Sequence, residues 1–311
     1  MAKIAIVQHA PEVLDREATL DKAVRLIAEA AAEGAHLVVF PEAFVPGYPA
    51  WVWRLRPGGD WDLSEKLHRR LLENAVDLAQ DGLAKVRTAA AEAGVTVVMG
   101  INERDGTVGR STLYNSLVVI GSDGEVLNQH RKLMPTNPER MVHGFGDASG
   151  LRVVDTPAGR IGALVCWENF MPLARYALYA QGVEIYIAPT YDAGDAWIGT
   201  LQHIAREGRC WVAGSGFAMR VADIPEDFPA RAELYPDADA WVNPGDSVVV
   251  SPDGTTVAGP LREDTGFLYA EVDTTSVAAA RRSLDVAGHY ARPDVFELRV
   301  RREPQKLVTF D

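Results

Sequence analysis

Only two cysteines occur in 311 residues, and one of them stands where a thiol could do chemistry. Cys166 ends the apolar run Ile161-Gly162-Ala163-Leu164-Val165, and a helix is expected a few residues later, from Pro172. A strand that stops at a nucleophile just before a helix has the arrangement of a nucleophile elbow. Backbone N–H groups at the helix start then favour a thiolate, or charge on a substrate atom. A buried structural cysteine is the competing reading. It suits Cys210 better, because Cys210 leads directly into the next apolar run.

Two other segments carry groups that could serve such a thiol. Phe40-Pro41-Glu42 places a carboxylate directly after an apolar run, at the strand end where α/β folds build their sites. A solvated loop glutamate is the plain alternative. His130-Arg131-Lys132-Leu133-Met134-Pro135-Thr136-Asn137-Pro138-Glu139 places a cation at a hairpin strand end and Glu139 in a proline-rich turn. Taken alone, a lysine there is usually just solvated. One thiol, one ammonium and two carboxylates, all at strand ends, suggest a glutamate-activated cysteine. A Cys–His pair is the rival idea, although none of the seven histidines has a compelling position for it. No G-x-x-x-x-G-K-[ST] loop and no H-E-x-x-H pattern is present. Gly144 and Gly146, like Gly214 and Gly216, do not continue as G-x-G-x-x-G and are read as tight backbone packing. Neither a metal nor a cofactor is expected.

Short apolar runs alternating with helical periodicity must position these groups. Strands are expected over 3–8, 37–40, 95–100, 184–188, 211–218 and 267–272. Hairpins are expected over 113–130, 151–165 and 247–258, the first and last across Asp-Gly turns. Helices are expected over 20–33 with Gly34 at its C-terminal end, once or twice within 63–93, and over 172–181, 197–206 and 274–282. Such an order implies an α/β fold with mixed sheets and helices packed on their faces. One domain over 1–284 is the simplest division. Periodicity lapses after it, leaving a C-terminal extension over 285–311.

Hydrophobic residues make up 47% of the chain and charged residues 24%, an ordinary globular balance. A net charge of −12 argues against nucleic acid or an anionic membrane as partner, since both need clustered Lys and Arg. The one basic run, at 299–302 with Lys306, is interspersed with other residues and reads as a solvated segment. No apolar run has the length of a membrane span, and the N-terminus starts at once as a strand. With two cysteines and no C-x-x-C, a cytoplasmic protein is expected.

Taken together, the three segments resemble the nitrilase superfamily of carbon–nitrogen hydrolases, whose hallmark is a Glu–Lys–Cys triad in that chain order. The match covers most of the chain. The resemblance maps the triad onto Glu42, Lys132 and Cys166, and Glu139 onto a second glutamate that many members keep in the active site. Val45-Pro46-Gly47-Tyr48-Pro49, Cys166-Trp167-Glu168-Asn169 and Gly288-His289-Tyr290-Ala291-Arg292-Pro293 look like the true nitrilase branch. His143 and Ala148 depart from it, standing where Trp and Gly are more usual; this touches loop shape or specificity, not the triad.

What the resemblance implies is a four-layer αββα sandwich whose subunits pair through stacked layers into a dimer or a larger helical assembly. The extension is then expected at an oligomer interface. It implies a nitrilase of nitrile metabolism that converts an organic nitrile and water to a carboxylic acid and ammonia through a thioimidate and a thioester on Cys166. Tyr48, Trp167, Glu168 and Asn169 are the expected substrate-binding residues, and the aromatic residues point to an aromatic or arylaliphatic nitrile. Trp51 and Trp53 could serve the pocket or a subunit contact. An amidase, a carbamoylase or a cyanide-converting enzyme of the same superfamily is the alternative, and a catalytically silent oligomeric scaffold is a more distant one.

Overall fold

The computed structural model describes residues 1–105, 109–304 and 308, so Lys306 lies outside the described residues. In chain order the strands are β1 (Ala2–Gln8), β2 (Leu37–Val39), β3 (Thr96–Arg104), β4 (Leu113–Ile120), β5 (Val126–Arg131), β6 (Val154–Thr156), β7 (Gly159–Ala163), β8 (Ile185–Pro189), β9 (Trp211–Ser215), β10 (Ala218–Arg220), β11 (Trp241–Val250), β12 (Thr256–Arg262) and β13 (Gly266–Val272). The helices are α1 (Arg16–Ala32), α2 (Trp61–Asn74), α3 (Ala84–Ala93), α4 (Pro172–Tyr179), α5 (Asp195–Gly208), α6 (Arg231–Leu234) and α7 (Thr275–Arg281). One sheet has the order β13-β1-β2-β3-β4-β5. The other has the order β10-β11-β9-β8-β7-β6, with β12 also on β11.

The period-two alternation of each strand explains the layers. Ile4, Ile6, Leu37, Val39 and Val98 meet Ile161, Ile185, Ile187 and Val249 between the sheets. Their neighbours Ala5, Val7, Val38, Val97 and Met99 turn the other way, onto Leu20, Ala23, Ile27 and Ala30 of α1 and Val86, Ala89 and Ala90 of α3. Tyr186, Ala188 and Val212 likewise face α4 and α5. The result is four layers in the order αββα. Because both faces of the central strands are buried, they read as continuous apolar runs, each full side chain contributing about 1.5–3 kcal/mol. The helix α1 starts where Asp15 accepts a hydrogen bond from the Ala18 N–H (2.9 Å), and Gly34 follows its end at φ 81°.

Three expectations needed refinement. The stretch 63–93 forms two α-helices separated by a short 3-10 turn that Asp77 caps through Ala79 N–H (3.0 Å). The run 211–218 divides into β9 and β10 at Gly216, where a Cβ would meet the Gly245 carbonyl oxygen at 2.0 Å. The strand β11 begins at Trp241, earlier than expected, because Asn243, Pro244 and Gly245 interrupt the apolar alternation and shift its register.

Strand direction gathers the candidate residues. β2 and β3 are parallel, and two antiparallel steps bring β5 back to the direction of β2. Glu42 and Lys132 therefore leave the carboxyl ends of strands in one sheet. The strands β7 and β8 are parallel in the other, and their carboxyl ends lead to Cys166 and to Thr190-Tyr191. Among the described residues no helix is long and apolar enough to cross a membrane.

Candidate active site

The glutamate loop is sewn onto β3. Phe40 N–H donates to the Val98 carbonyl (2.8 Å), Val45 N–H to Gly100 (3.1 Å), and Asn102 N–H to Val45 (2.7 Å). Position 100 must be glycine for this approach, since a Cβ there would lie 2.1 Å from the Pro41 carbonyl oxygen. Left-handed, non-glycine residues mark each loop that carries a candidate group: Ala43 (φ 49°), Asn137 (φ 33°) and Cys166 (φ 51°). Each costs about 1–3 kcal/mol, a strain characteristic of functional sites.

All four candidate groups converge. Lys132 Nζ donates to Glu42 Oε1 (2.9 Å) and to Glu139 Oε2 (2.7 Å) and Oε1 (3.0 Å). The reactive atoms of Glu42, Glu139 and Cys166 lie within 4.8 Å of one another. Two carboxylates and a thiol form a donor set that could hold a cation, but the Lys132 ammonium already bridges both carboxylates and supplies the positive charge. Glu42 also accepts from Asn115 Nδ2 (2.7 Å) and Tyr191 N–H (2.6 Å), and Glu139 from Tyr48 Oη (2.7 Å) and Thr136 N–H (2.9 Å).

The environment separates the two glutamates. Burial raises the proton affinity of Glu42, and Lys132 only partly offsets it. At Glu139 burial pushes the same way, but Lys132 wins and holds the carboxyl below its usual range. Burial alone would lower Lys132, yet Glu42 and Glu139 outweigh it and keep the ammonium charged. The same residue type is thus shifted in opposite directions at two neighbouring positions, Glu42 up and Glu139 down. Burial pushes the Cys166 thiol up to about 12; Glu42 adds to this, and Lys132 and a Thr190 hydrogen bond oppose it. Burial thus opposes the thiolate that a helix start would favour, so a nearby base is needed to remove the proton. Cys166 opens a 3-10 turn (Cys166–Phe170) and α4 begins only at Pro172, so the helix terminus is too far to offset burial beside two carboxylates.

Beside Cys166 lies a chamber of about 240 Å³, walled by Tyr48, Trp53 and Tyr191 and bounded by Trp167 and Asp192. Tyr48 stacks on Tyr191 (centroids 4.1 Å apart) and accepts from Trp53 Nε1 (2.9 Å). Trp51 turns away into the core against Phe228 (5.8 Å). Trp167 is half-exposed, with Nε1 on Asp192 (2.8 Å). Glu168 and Asn169 do not line this chamber. The Glu168 carboxylate accepts from Leu133 N–H (2.8 Å), Val165 N–H (2.8 Å) and His130 Nε2 (3.0 Å), tying the lysine strand to the elbow. Asn169 donates to the Leu164 (3.0 Å) and Cys166 (2.8 Å) carbonyls and accepts from Tyr186 Oη (2.7 Å). Both residues brace the turn that presents Cys166. His143 is buried on Asn102 (2.9 Å), whose amide holds the Gly47 carbonyl (2.9 Å), so it packs under the glutamate loop. A larger cavity, about 690 Å³, lies elsewhere, between α4 and the tail.

Asn115, Thr190, Tyr191 and Asp192 escaped sequence reasoning. Asn115 carried one signal, a polar residue that with Ser116 interrupts a largely apolar strand, and Thr190-Tyr191 carried another, a strand end like that of Cys166.

Fold and site together define the class: an αββα protein with a cysteine, a lysine and two glutamates buried at its strand ends. The carbon-nitrogen hydrolase family model matches residues 3–282. A bifunctional nitrilase/nitrile hydratase of Nicotiana tabacum is 42% identical over 99% of this chain and 88% of the relative. An aliphatic nitrilase of Sinorhizobium fredii is 42% identical over 98% of this chain and 97% of its own. In fold, the chain is similar to a carbon-nitrogen hydrolase from Helicobacter pylori G27 (TM-score 0.68, 22% identity, 91% of this chain and 93% of that one). An amidase from Nesterenkonia sp. is similar too (TM-score 0.66, 22% identity, 91% and 94%). The chain belongs to the carbon-nitrogen hydrolase family, the nitrilase superfamily.

Proposed function

We propose that this protein is a nitrilase, with Cys166 as nucleophile, Glu42 as general base, Lys132 as charge stabiliser and Glu139 as the counter-ion that positions Lys132. The observation that carries the reading is geometric: the reactive atoms of Cys166, Glu42 and Glu139 lie within 4.8 Å of one another, with Lys132 Nζ bonded to both carboxylates. Whole-chain relatives named as nitrilases support nitriles as the substrate class.

Glu42 takes the thiol proton as Cys166 Sγ bonds to the nitrile carbon. One carbon–nitrogen π bond becomes a nitrogen lone pair, which Lys132 and the Trp167 N–H stabilise until it takes the proton back from Glu42. Water then adds across the thioimidate C=N bond: its hydroxyl bonds to carbon, and its proton passes through Glu42 to nitrogen. The remaining hydroxyl proton then passes through Glu42 to the amine as the carbonyl forms, the carbon–nitrogen bond breaks and ammonia leaves. A second water cleaves the thioester, releasing the acid and restoring the thiol. No metal or cofactor takes part.

The aromatic walls of the chamber support an aromatic or arylaliphatic substrate, and 240 Å³ suits a compact one, being below the roughly 300–1,000 Å³ of sites for drug-sized ligands. A panel of nitriles and amides read by ammonia release and product identity tests this. Acid and ammonia from phenyl-bearing nitriles are expected. Faster turnover of short aliphatic nitriles overturns the aromatic part; turnover of amides alone, or of cyanide alone, overturns the nitrilase reading in favour of an amidase, a carbamoylase or a cyanide-converting enzyme.

The catalytic domain spans 1–284, and subunits pair through stacked layers, with the extension from 285 along the interface. Exposed Phe170, Leu173, Val295 and Phe296, on or beside α4 and the tail, support an apolar contact there. Light scattering at assay concentration is expected to give a dimer or larger; a monomer refutes it. Both cysteines are free, and the mechanism needs Cys166 reduced, which supports a cytoplasmic setting.

A further inference from the structure

Asn115 lies in β4, outside the three segments singled out for chemistry in the sequence, yet it touches two of the four central groups. Its side-chain Nδ2 donates to Glu42 Oε1 at 2.7 Å. Its backbone carbonyl accepts from Lys132 N–H at 2.8 Å. It is 1% exposed and does not line the chamber beside Cys166.

We infer that Asn115 is a positioning residue, which holds the Glu42 carboxylate and the Lys132 backbone in one frame so that a single acceptor site of Glu42 remains for the Cys166 proton. This rests on the reading of Glu42 as general base. A carboxylate offers about four acceptor sites. Among the described residues, Asn115 Nδ2 and Lys132 Nζ occupy Oε1, and Tyr191 N–H occupies Oε2. The orientation of the amide is itself informative. The Asn115 Oδ1 atom is buried without a protein partner. Turning the amide over would place that oxygen against the carboxylate, so the ionised Glu42 dictates the orientation and is favoured by it in return.

Groups facing Glu42 from neighbouring elements leave it as the one that sets an acid limb. Lys132 is held charged and Glu139 ionised. Burial pushes Cys166 up to about 12, Tyr191 up to about 12, and Tyr48 well above its usual range. Burial pushes His143, on Asn102 nearby, down to about 4. Glu42, raised by burial, must lose its proton before it can act, so activity falls as pH drops through its ionisation.

The test is kcat/KM against pH for the wild type, Asn115→Leu, Asn115→Asp and Glu42→Gln, with melting temperature as the folding control. Removing a hydrogen bond to a charged group should lower plateau kcat/KM roughly tenfold to a hundredfold and move the acid limb up by about one to two pH units. The loss should fall on kcat, with KM little changed. In Asn115→Asp the limb should also move up, because a further carboxylate opposes ionisation of Glu42. A folded Asn115→Leu that keeps the wild-type limb overturns the inference; should that variant not fold, an unmoved limb in Asn115→Asp overturns it equally. An active Glu42→Gln enzyme brings down the reading of Glu42 as base, and this inference with it. An inactive Glu42→Gln beside unmoved Asn115 limbs brings down this inference alone.

Discussion

Cys166→Ala is expected to lower nitrile turnover by at least about 10⁴-fold while leaving the fold intact. The size follows from the nature of the loss. Covalent catalysis has no substitute when its nucleophile is gone, because water in the chamber would have to attack the nitrile directly. Stability should change little. Alanine accepts the left-handed backbone at position 166 at the same cost as cysteine, and the Glu168 and Asn169 braces hold the turn through backbone groups. Ammonia release and intact mass check the first half, since a substrate adduct should form on the wild type and not on Cys166→Ala; the melting temperature checks the second. Cys210→Ala is the matched control. Cys210 is buried behind α4 and α5, so its loss should leave turnover within a few-fold. Substantial turnover by Cys166→Ala, or loss of the adduct in Cys210→Ala, would refute the assignment.

Lys132→Met should cost activity and stability together. The ammonium is fully buried and bridges two buried carboxylates. Removing one partner of such an arrangement leaves uncompensated charge, with a penalty of about 3–5 kcal/mol. For a chain of this size that lowers the melting temperature by on the order of 10 °C. The deficit should depend on pH with a definite sign. Without Lys132, burial and mutual repulsion raise both glutamates above their unfolded values of about 4.3. Groups raised in this way contribute stability that is present below the unfolded value and lost as pH rises through the folded one. The variant should therefore approach the wild type near pH 4 and fall furthest behind at pH 7–8. Adding Glu139→Gln should recover part of the loss, because the repulsion between the carboxylates disappears. A gap that does not vary with pH would show that lost packing, rather than unpaired charge, is responsible.

The layered fold was legible because both faces of the central strands are buried. Val38 and Val39 face opposite layers, yet both are apolar, and that is why the run stands out from its surroundings. The strand β11 was only half legible, because Asn243, Pro244 and Gly245 are chosen for close approach to other segments rather than for alternation. Glu42, Lys132, Glu139 and Cys166 were legible because each follows a strand or sits in a proline-marked turn beside one. Asn115 was not, since a polar residue within a strand, like Ser116 beside it, is as compatible with a structural hydrogen bond as with a functional one. Glu168 and Asn169 show the reverse case: adjacency to Cys166 made them candidates for the substrate, whereas their polar atoms are engaged in the turn itself.

Chemical types and their order along the chain were determined by the sequence alone: a thiol, an ammonium and a carboxylate each following a strand, and a second carboxylate in the proline-marked turn beyond β5. Their electrostatic roles were decided only by the tertiary structure. Glu42 and Glu139 are the same residue type, and nothing local to either says which will bind a proton. The difference arises from how burial balances against one shared ammonium, and from hydrogen bonds contributed by β4, by the loop after β8 and by Tyr48. The thiol follows the same rule. The strand-to-helix setting of Cys166 is legible in sequence, but only the tertiary structure shows the burial beside two carboxylates that opposes its ionisation.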